Sequence, residues 1–444
     1  MKKIIVSFIL IAIVGLVGPK IIGGSANQKF EEFIAEVNET PGYQVEIINS
    51  ETGWFSSKAT VNVGLDPMIL GDMGNDPQMR MLFEEFSADL SVTMQHGPFL
   101  TLNGLGLGLL AVKADVDETV LREYLIYNEN ESLYSLGVDL GLFGGASFSD
   151  TLQGFTFREP GGTVSFGGWN GEGSVSSRHV SYKGEMESFT AEAGGEKLEV
   201  KSVGLDLEAE DSLINMLTTS FYDSAGEFTI GSIVLDTSAQ GNMVLKNMAV
   251  TATTEVTSGG QLMDMGVSYG VDELLIPGFN ATDLLLKVEL VNLEKTFLTA
   301  MQHAGQGAME VEELSALFND NLLPQLKASP EFNITELSGN VDGNSFSGKA
   351  LIKLTGIKQM PIFMEDPSFW LSKLVVDARL EMERAMAVTM AQSMLPSKQQ
   401  AEATVNMLTA QGMVNVNARN NLEVSFTVND SQVTLNGNLI PLPY

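Results

Sequence analysis

The chain contains no cysteine. Disulfides, thiolate nucleophiles, zinc–thiolate sites and iron–sulfur clusters are therefore excluded, as is lipid attachment at an export signal, which needs a cysteine at the cleavage point. Basic residues are scarce: 25 Lys and Arg stand against 56 Asp and Glu, a net charge of −31. Nucleic-acid phosphates and anionic headgroups repel a body so acidic, so no nucleic-acid partner is expected. The excess reads as a solvated, self-repelling surface, with a basic partner as the alternative. Histidine is rarer still, and His96, His179 and His303 lie far apart with no metal-ligand or triad spacing. Neither a G-x-S-x-G elbow nor an H-E-x-x-H motif occurs. No catalytic residue, metal site or cofactor is expected, and carboxylate pairs carry no weight among so many acids. Beyond residue 24 no apolar run reaches the roughly 18 residues that span a bilayer.

One such run stands at the start. Met1-Lys2-Lys3 precedes Ile4, Ile5, Val6, Phe8, Ile9, Leu10, Ile11, Ile13, Val14, Leu16 and Val17. Two lysines before the run and few bases soon after it set the N-terminus inside and the chain outside. With Ile21 and Ile22 included and Lys20 snorkelling, the stretch is about 19 residues, roughly 28 Å of helix. An uncleaved single-pass anchor over residues 1–26 is expected; Gly24-Ser25-Ala26 offers a small-x-small cleavage site as the alternative.

The whole chain of 444 residues is 44% hydrophobic and can bury a large core. Residues 27–40 read as a short amphipathic helix, with Phe30, Phe33, Ile34 and Val37 at helical spacing, ended by Pro41-Gly42. Period-two alternation then dominates. Leu422, Val424, Phe426 and Val428 alternate with polar residues, and an Asn429-Asp430-Ser431 turn leads to Val433 and Leu435. A second hairpin joins 248–255 to 261–276 through Ser258-Gly259-Gly260. Leu198 and Val200 give way to Val203, Leu205 and Leu207 after a phase slip near Ser202, which predicts a bulge. Helical patterns come late, near 292–327 and 367–412. Pro367 opens one whose apolar face runs Leu371, Leu374, Val375, Ala378, Met382, Ala385, Met386 and Met390, and Ser397 and Gly412 cap another. The fold class is α+β, mainly antiparallel β: elongated curved sheet or sheets, with several helices in the C-terminal half, after one transmembrane helix. Two regions follow the anchor, a β-rich one over 27–172 and an α+β one over 173–444.

Residues 137–173 hold eleven glycines but also Phe143, Phe148, Phe155, Phe157, Phe166 and Trp169, too many aromatics for a linker, and read as short bent strands. Phe55–Val61 and Phe346–Ile352 match in four of seven positions, a weak internal repeat. Gly343 to Lys349 has phosphate-loop spacing, but Ala350 follows where Ser or Thr is needed and a strand follows where a helix is needed, so it reads as a turn. Asp206, Glu208, Glu210 and Asp211 read as the wet face of a strand. Gly104, Gly106 and Gly108 alternate with leucines, and with Met382, Met386 and Met390 they make a candidate groove for a lipid, ordinary core packing being the blander reading.

Gly53-Trp54-Phe55-Ser56-Ser57, then His96-Gly97-Pro98 some forty residues on, and a late strand ending Leu435-Asn436-Gly437 together resemble the YdgA-like proteins of Gram-negative bacteria, a family of unknown function. The resemblance implies an inner-membrane anchor and a periplasmic body, and no activity. By residue chemistry the motif is structural: Gly53 makes the turn, Trp54 and Phe55 fill the core, and Ser56 and Ser57 cap the turn. A non-enzymatic binder or conduit for a hydrophobic envelope ligand such as phospholipid is one expectation. The alternative is a structural or assembly protein, acting on a second copy of itself or on another envelope protein.

Overall fold

The computed structural model describes residues 43–65, 87–116, 125–212, 221–237, 241–306, 321–361 and 366–441, with single positions between 28 and 38 and at 122 and 216. The anchor expected over 1–26 lies outside the described residues, among which no helix is long and apolar enough to cross a membrane. Antiparallel sheet makes up most of the rest, with few helices. The chain divides into two compact units at Gly194/Gly195. The change of region expected at 172/173 falls within a strand, Trp169–Val175, that pairs along its length with both neighbours.

In the N-terminal unit the strands are β1 (Tyr43–Thr52), β2 (Ser56–Leu65), β3 (Ser87–His96), β4 (Phe99–Leu100), β5 (Gly106–Val116), β6 (Leu125–Ile126), β7 (Tyr134–Gly141), β8 (Ala146–Leu152), β9 (Phe155–Glu159), β10 (Gly162–Phe166), β11 (Trp169–Val175) and β12 (Val180–Ala193). They pair in the order β1–β2–β3–β5–β7–β8–β11–β12, with β10 on the far half of β12, β9 beside it and β6 beyond. Alternation sends Ala59, Val61, Val92, Met94 and Ala114 to one face, where they are buried. Phe30 and Ile34 of the helical stretch preceding β1 pack on that cluster, as their spacing predicts; Phe33 and Val37 lie outside the described residues. Asn38 ties this stretch to β1: its Nδ2 donates to the Val45 carbonyl and its Oδ1 accepts from the Val45 amide, each at 2.7 Å.

The Gly-rich segment forms short paired strands because its glycines leave room for rings. Trp169 lies over Gly184, Phe148 stacks on Tyr182 with centroids 5.8 Å apart, and Trp169 Nε1 donates to Tyr182 Oη at 2.9 Å. Tyr182 in turn donates to Asp150 at 3.0 Å. A Cβ on Gly171 would stand 2.2 Å from Asp150 Oδ1 and 2.3 Å from the Tyr182 hydroxyl. Glycine here is a steric requirement of the ring bed rather than a source of flexibility.

The C-terminal unit is a long meander: β13 (Glu196–Glu210), β14 (Asp223–Thr237), β15 (Gly241–Thr257), β16 (Leu262–Ile276), β17 (Phe279–Glu294), β18 (Glu331–Val341), β19 (Asn344–Leu354) and β20 (Leu374–Met382), then β21 (Asn415–Val416), β22 (Leu422–Asn429), β23 (Gln432–Leu435) and β24 (Asn438–Leu439). Each strand pairs with the next as far as β20, which pairs with β22. Asp430 and Ser431 take φ of 49° and 63° in the hairpin turn read from the sequence, and Ser258, Gly259 and Gly260 form the other. Asp342 and Gly343, at φ 50° and 80°, turn β18 into β19, so the loop with phosphate-like spacing is a hairpin turn. Both copies of the weak repeat open the second strand of a hairpin.

The slip at Ser202 is a kink in two strands rather than an extra residue in one. Register runs from Lys201↔Ser232 to Val203↔Ile230 with no insertion, while Ser202 takes φ 56°. Val200 and Val203 are both half-buried, with Lys201 and Ser202 exposed between them. The same break crosses the sheet: Asn247 has φ 48° on β15 and Asp283 φ 53° on β17, and Asn247 Nδ2 donates to Asp272 on β16 at 2.8 Å. Short polar side chains tolerate this left-handed backbone better than others do, which is why these residues stand there.

Helices cover Lys295–Gln306, 321–327, Pro367–Leu371, Arg384–Met394 and Lys398–Ala410. The last matches its sequence caps, with Ser397 Oγ accepting from Gln400 N at 3.3 Å and Gly412 at φ 70°. The helix expected from Pro367 through Met390 is corrected in its middle: it stops at Leu371, Leu374–Met382 is strand β20, and helix resumes over Arg384–Met394. Val376, Ala378, Leu380 and Met382 alternate with Asp377, Arg379 and Glu381, and pairing with β19 and β22 on both edges overrides the helical spacing.

Gly171→Ala is expected to cost about 1–3 kcal/mol through overpacking, lowering the melting temperature by about 2–12 °C. Gly161→Ala, where an added Cβ meets nothing within 4 Å, should leave it unchanged. Thermal melts followed by near-ultraviolet circular dichroism distinguish the two; equal melting temperatures would refute the steric account.

Candidate functional site

Direct cross-strand neighbours in a sheet share a face. In the C-terminal unit Leu205, Phe228, Val250, Tyr269, Leu286, Leu337, Gly348, Leu380 and Val424 face one another strand by strand from β13 to β22. The adjacent row runs Leu207, Gly226, Ala252, Val267, Val288, Ile334, Ala350, Ala378 and Phe426. Neither row contains a charged residue. The opposite face of β13 to β18 carries Asp206, Glu227, Thr251, Ser268, Lys287 and Glu336 in register, the last two ion-paired at 2.8 Å. The sheet is therefore amphipathic across its width. The acids Asp206 and Glu208 lie on its exposed polar side, as expected, and no group of three or more metal-ligating side chains occurs among the described residues.

What distinguishes the apolar face is accessibility. No side chain of either row is fully buried, and Tyr269 and Leu207 are 47% and 43% exposed. Among the described residues one buried cluster lies under the helix pair, where Val388, Ala401, Val405 and Leu422 are buried, and Met263, Ala281, Ala300 and Leu326 are buried elsewhere in the unit. Met382 packs against that cluster from the end of β20, while Met386 is half-buried and Met390 is half-exposed. These three methionines thus border the face without lining one helix stripe.

Gly104, Gly106 and Gly108 belong to the N-terminal unit, so the six expected groove residues fall in two units. Gly104 precedes the strand at φ 131°, Gly106 faces open space, and Gly108 lies beneath Leu100. The leucines point outward: Leu105 is 98% exposed and Leu107 64%. Beside them is a hollow of about 460 Å³ with a mixed lining, Asn103, Asp139, Ser147 and Ser174 on the polar side and Leu100, Leu140 and Val175 on the apolar.

The Gly-Trp-Phe-Ser-Ser and His-Gly-Pro segments meet. The Gly53 amide donates to the Ser56 carbonyl at 2.8 Å, closing the β1–β2 turn, and the His96 amide donates to the Phe55 carbonyl at 2.8 Å. Ser57 Oγ is 3.2 Å from His96 Nε2, with both residues buried. Burial holds the His96 pKa below its ordinary 6.5, against the backbone of Trp54, which favours the charged ring. Sealed from solvent, the pair acts as a structural hydrogen bond in the core. A Cβ on Gly97 would stand 1.8 Å from the Gly108 carbonyl oxygen, so glycine is required there, and Pro98 leads directly into β4. Trp54 and Phe55, expected in the core, are instead about half exposed, because the turn places them beyond the last paired residues.

A neutral buried His96 has a signed consequence. Its stabilising contribution is present above pH 6.5 and is lost as pH falls from there toward the lowered folded value, since the unfolded chain takes up the proton first. Between pH 7 and 5, the urea midpoint of the wild type should therefore fall more steeply than that of His96→Gln. Parallel slopes would show that His96 is not the group.

Searches of curated proteins and of solved structures find no match. A family model described as a bacterial protein of unknown function does match, over residues 1–443, and the chain belongs to that family, DUF945.

Proposed function

We propose that this protein is a non-enzymatic component of the bacterial cell envelope, anchored in the inner membrane by residues 1–26 with its body in the periplasm, and that it binds or conducts phospholipid acyl chains along the apolar face of its C-terminal sheet. The observation that carries this reading is the pair of uncharged rows crossing β13 to β22 without being sealed. The chemistry of the face favours hydrocarbon over polypeptide. Apart from Gly226 and Gly348, whose strands are paired on both edges, side chains line its middle and offer no donor or acceptor except the Tyr269 hydroxyl, so a peptide laid there would desolvate amides without partners. An acyl chain has no such groups, and it gains from every apolar contact.

The test uses the full chain, exchanged through several gentle detergents, with bound lipid counted by native mass spectrometry and extraction. Wild type and Ser268→Glu, a change on the polar face, should retain lipid. Val250→Glu with Leu337→Glu places two charges in the middle row and should reduce retention at least about tenfold. Lipid held only around the anchor would be equal in all three proteins, and that result, or none retained by wild type, would refute the proposal.

A further inference from the structure

The turns at one end of the N-terminal sheet are free of Asp and Glu and rich in exposed apolar side chains. The β1–β2 turn, the β3–β5 connection, the β7–β8 turn and the β11–β12 turn all lie at that end, since Ser56 pairs with Gln95, and the next residue, His96, begins a register through Leu110, Leu140, Ala146 and Val175. Three of these turns hold Trp54, Phe55, Phe99, Leu105, Leu107 and Phe143 between 47% and 101% exposed. Residues 52–58, 95–112, 140–149 and 173–183 contain no Asp or Glu; at the chain's average density of acids, stretches of this length would hold about six. Lys58, Arg178 and Lys183 stand exposed among them.

These apolar side chains are held out by braced backbone. Gln95 Oε1 accepts from the Thr101 and Leu102 amides at 2.7 and 2.9 Å, and Asn103 Nδ2 donates to the Val112 carbonyl at 3.0 Å. The Gly141 amide donates to the Gly145 carbonyl at 3.0 Å across the turn that carries Phe143. A tryptophan, phenylalanines and leucines on braced turns, with Arg178 among them and the nearest acids, Glu51, Asp139 and Glu172, set back on the strands, suit the interface of a phospholipid bilayer. The rest of this acidic body would be repelled by that surface.

We propose that this end of the N-terminal unit inserts into the bilayer interface, a second membrane contact besides the anchor. The occupant is chosen by charge and by the chain outside the described residues. The apolar run ending near Gly18 is followed within about ten residues by the helical stretch whose Phe30 and Ile34 pack on this same unit. The inference rests on the envelope placement proposed above but not on acyl binding by the C-terminal sheet.

Because the chain has no cysteine, single labels are unambiguous. Full-length Leu105→Cys, Phe143→Cys and Gly161→Cys, each carrying a nitrobenzoxadiazole fluorophore, would be reconstituted into phosphatidylcholine–phosphatidylglycerol vesicles with and without doxyl-labelled lipid. Gly161 is in the β9–β10 turn at the opposite end of the unit. Doxyl lipid should quench the labels at 105 and 143 at least about twofold more than the label at 161. Equal quenching at all three sites would overturn the proposal. So would a blue shift at 105 and 143 without lipid quenching but with energy transfer between molecules, which would make a second copy the occupant. Lipid retention by the C-terminal sheet is scored separately, so either proposal can fail alone.

Discussion

The C-terminal sheet depends on keeping one phase of alternation across strands of up to 17 residues. A strand that long twists, and a single slip would send every later side chain to the wrong face. The sheet resolves this with a shared break. Ser202, Asn247 and Asp283 adopt left-handed backbone at matching levels on alternate strands, and Asn247 bonds Asp272 on the strand between. Asn340 reaches Asp283 from β18 at 3.1 Å, extending the line by one more strand. Each strand changes phase where its neighbours do, so Val200 and Val203, or Leu245 and Met248, stay half-buried on either side of the break. A break in one strand alone would mismatch its pairing on both edges.

Much of this was legible in the sequence where a local cause decides the structure. The turn at Asp430-Ser431 and the caps at Ser397 and Gly412 each follow from a few adjacent residues, and each is found; at Ser202 the change of phase is found but the bulge is not. The reading failed where distant partners decide. Leu374 to Met382 satisfies both periods, and only the edges of β19 and β22 make it a strand. Trp54 and Phe55 occupy a turn whose sequence does not say which way it points; neither residue reaches the core that Ala59 and Val61 fill from the same strand segment. The accessible apolar face was also missed, although Leu205 and Leu207 signalled it. Alternation identifies an apolar face without saying whether another layer covers it.

Glycine serves in two opposite ways. In the N-terminal unit Gly171, Gly173 and Gly184 are filled spaces, with Asp150 and Tyr182, Phe148 and Trp169 occupying the volume a side chain would take. Removing the ring and keeping the glycine would leave a hole, so the two residue types must be inherited together. At Gly259, Gly260 and Gly343 an added Cβ meets nothing, and backbone conformation alone requires the residue, each having φ of 68° to 87°.

An exposed apolar surface is ordinarily a hazard, because like faces on different copies stack and unpaired strand edges extend into one another. The net charge of −31 bears on that hazard directly. In the C-terminal unit the acids stand on the polar face and around the turns, so two copies approaching face to face bring their charged margins together before their apolar rows meet. Repulsion of this kind is long-ranged at low salt and does not act on a neutral hydrocarbon. Acidity thus opposes another copy of the chain, and would not oppose the uncharged acyl chain proposed for this face. On this view the excess of carboxylates does more than keep the body soluble: it lets an amphipathic sheet remain uncovered in water.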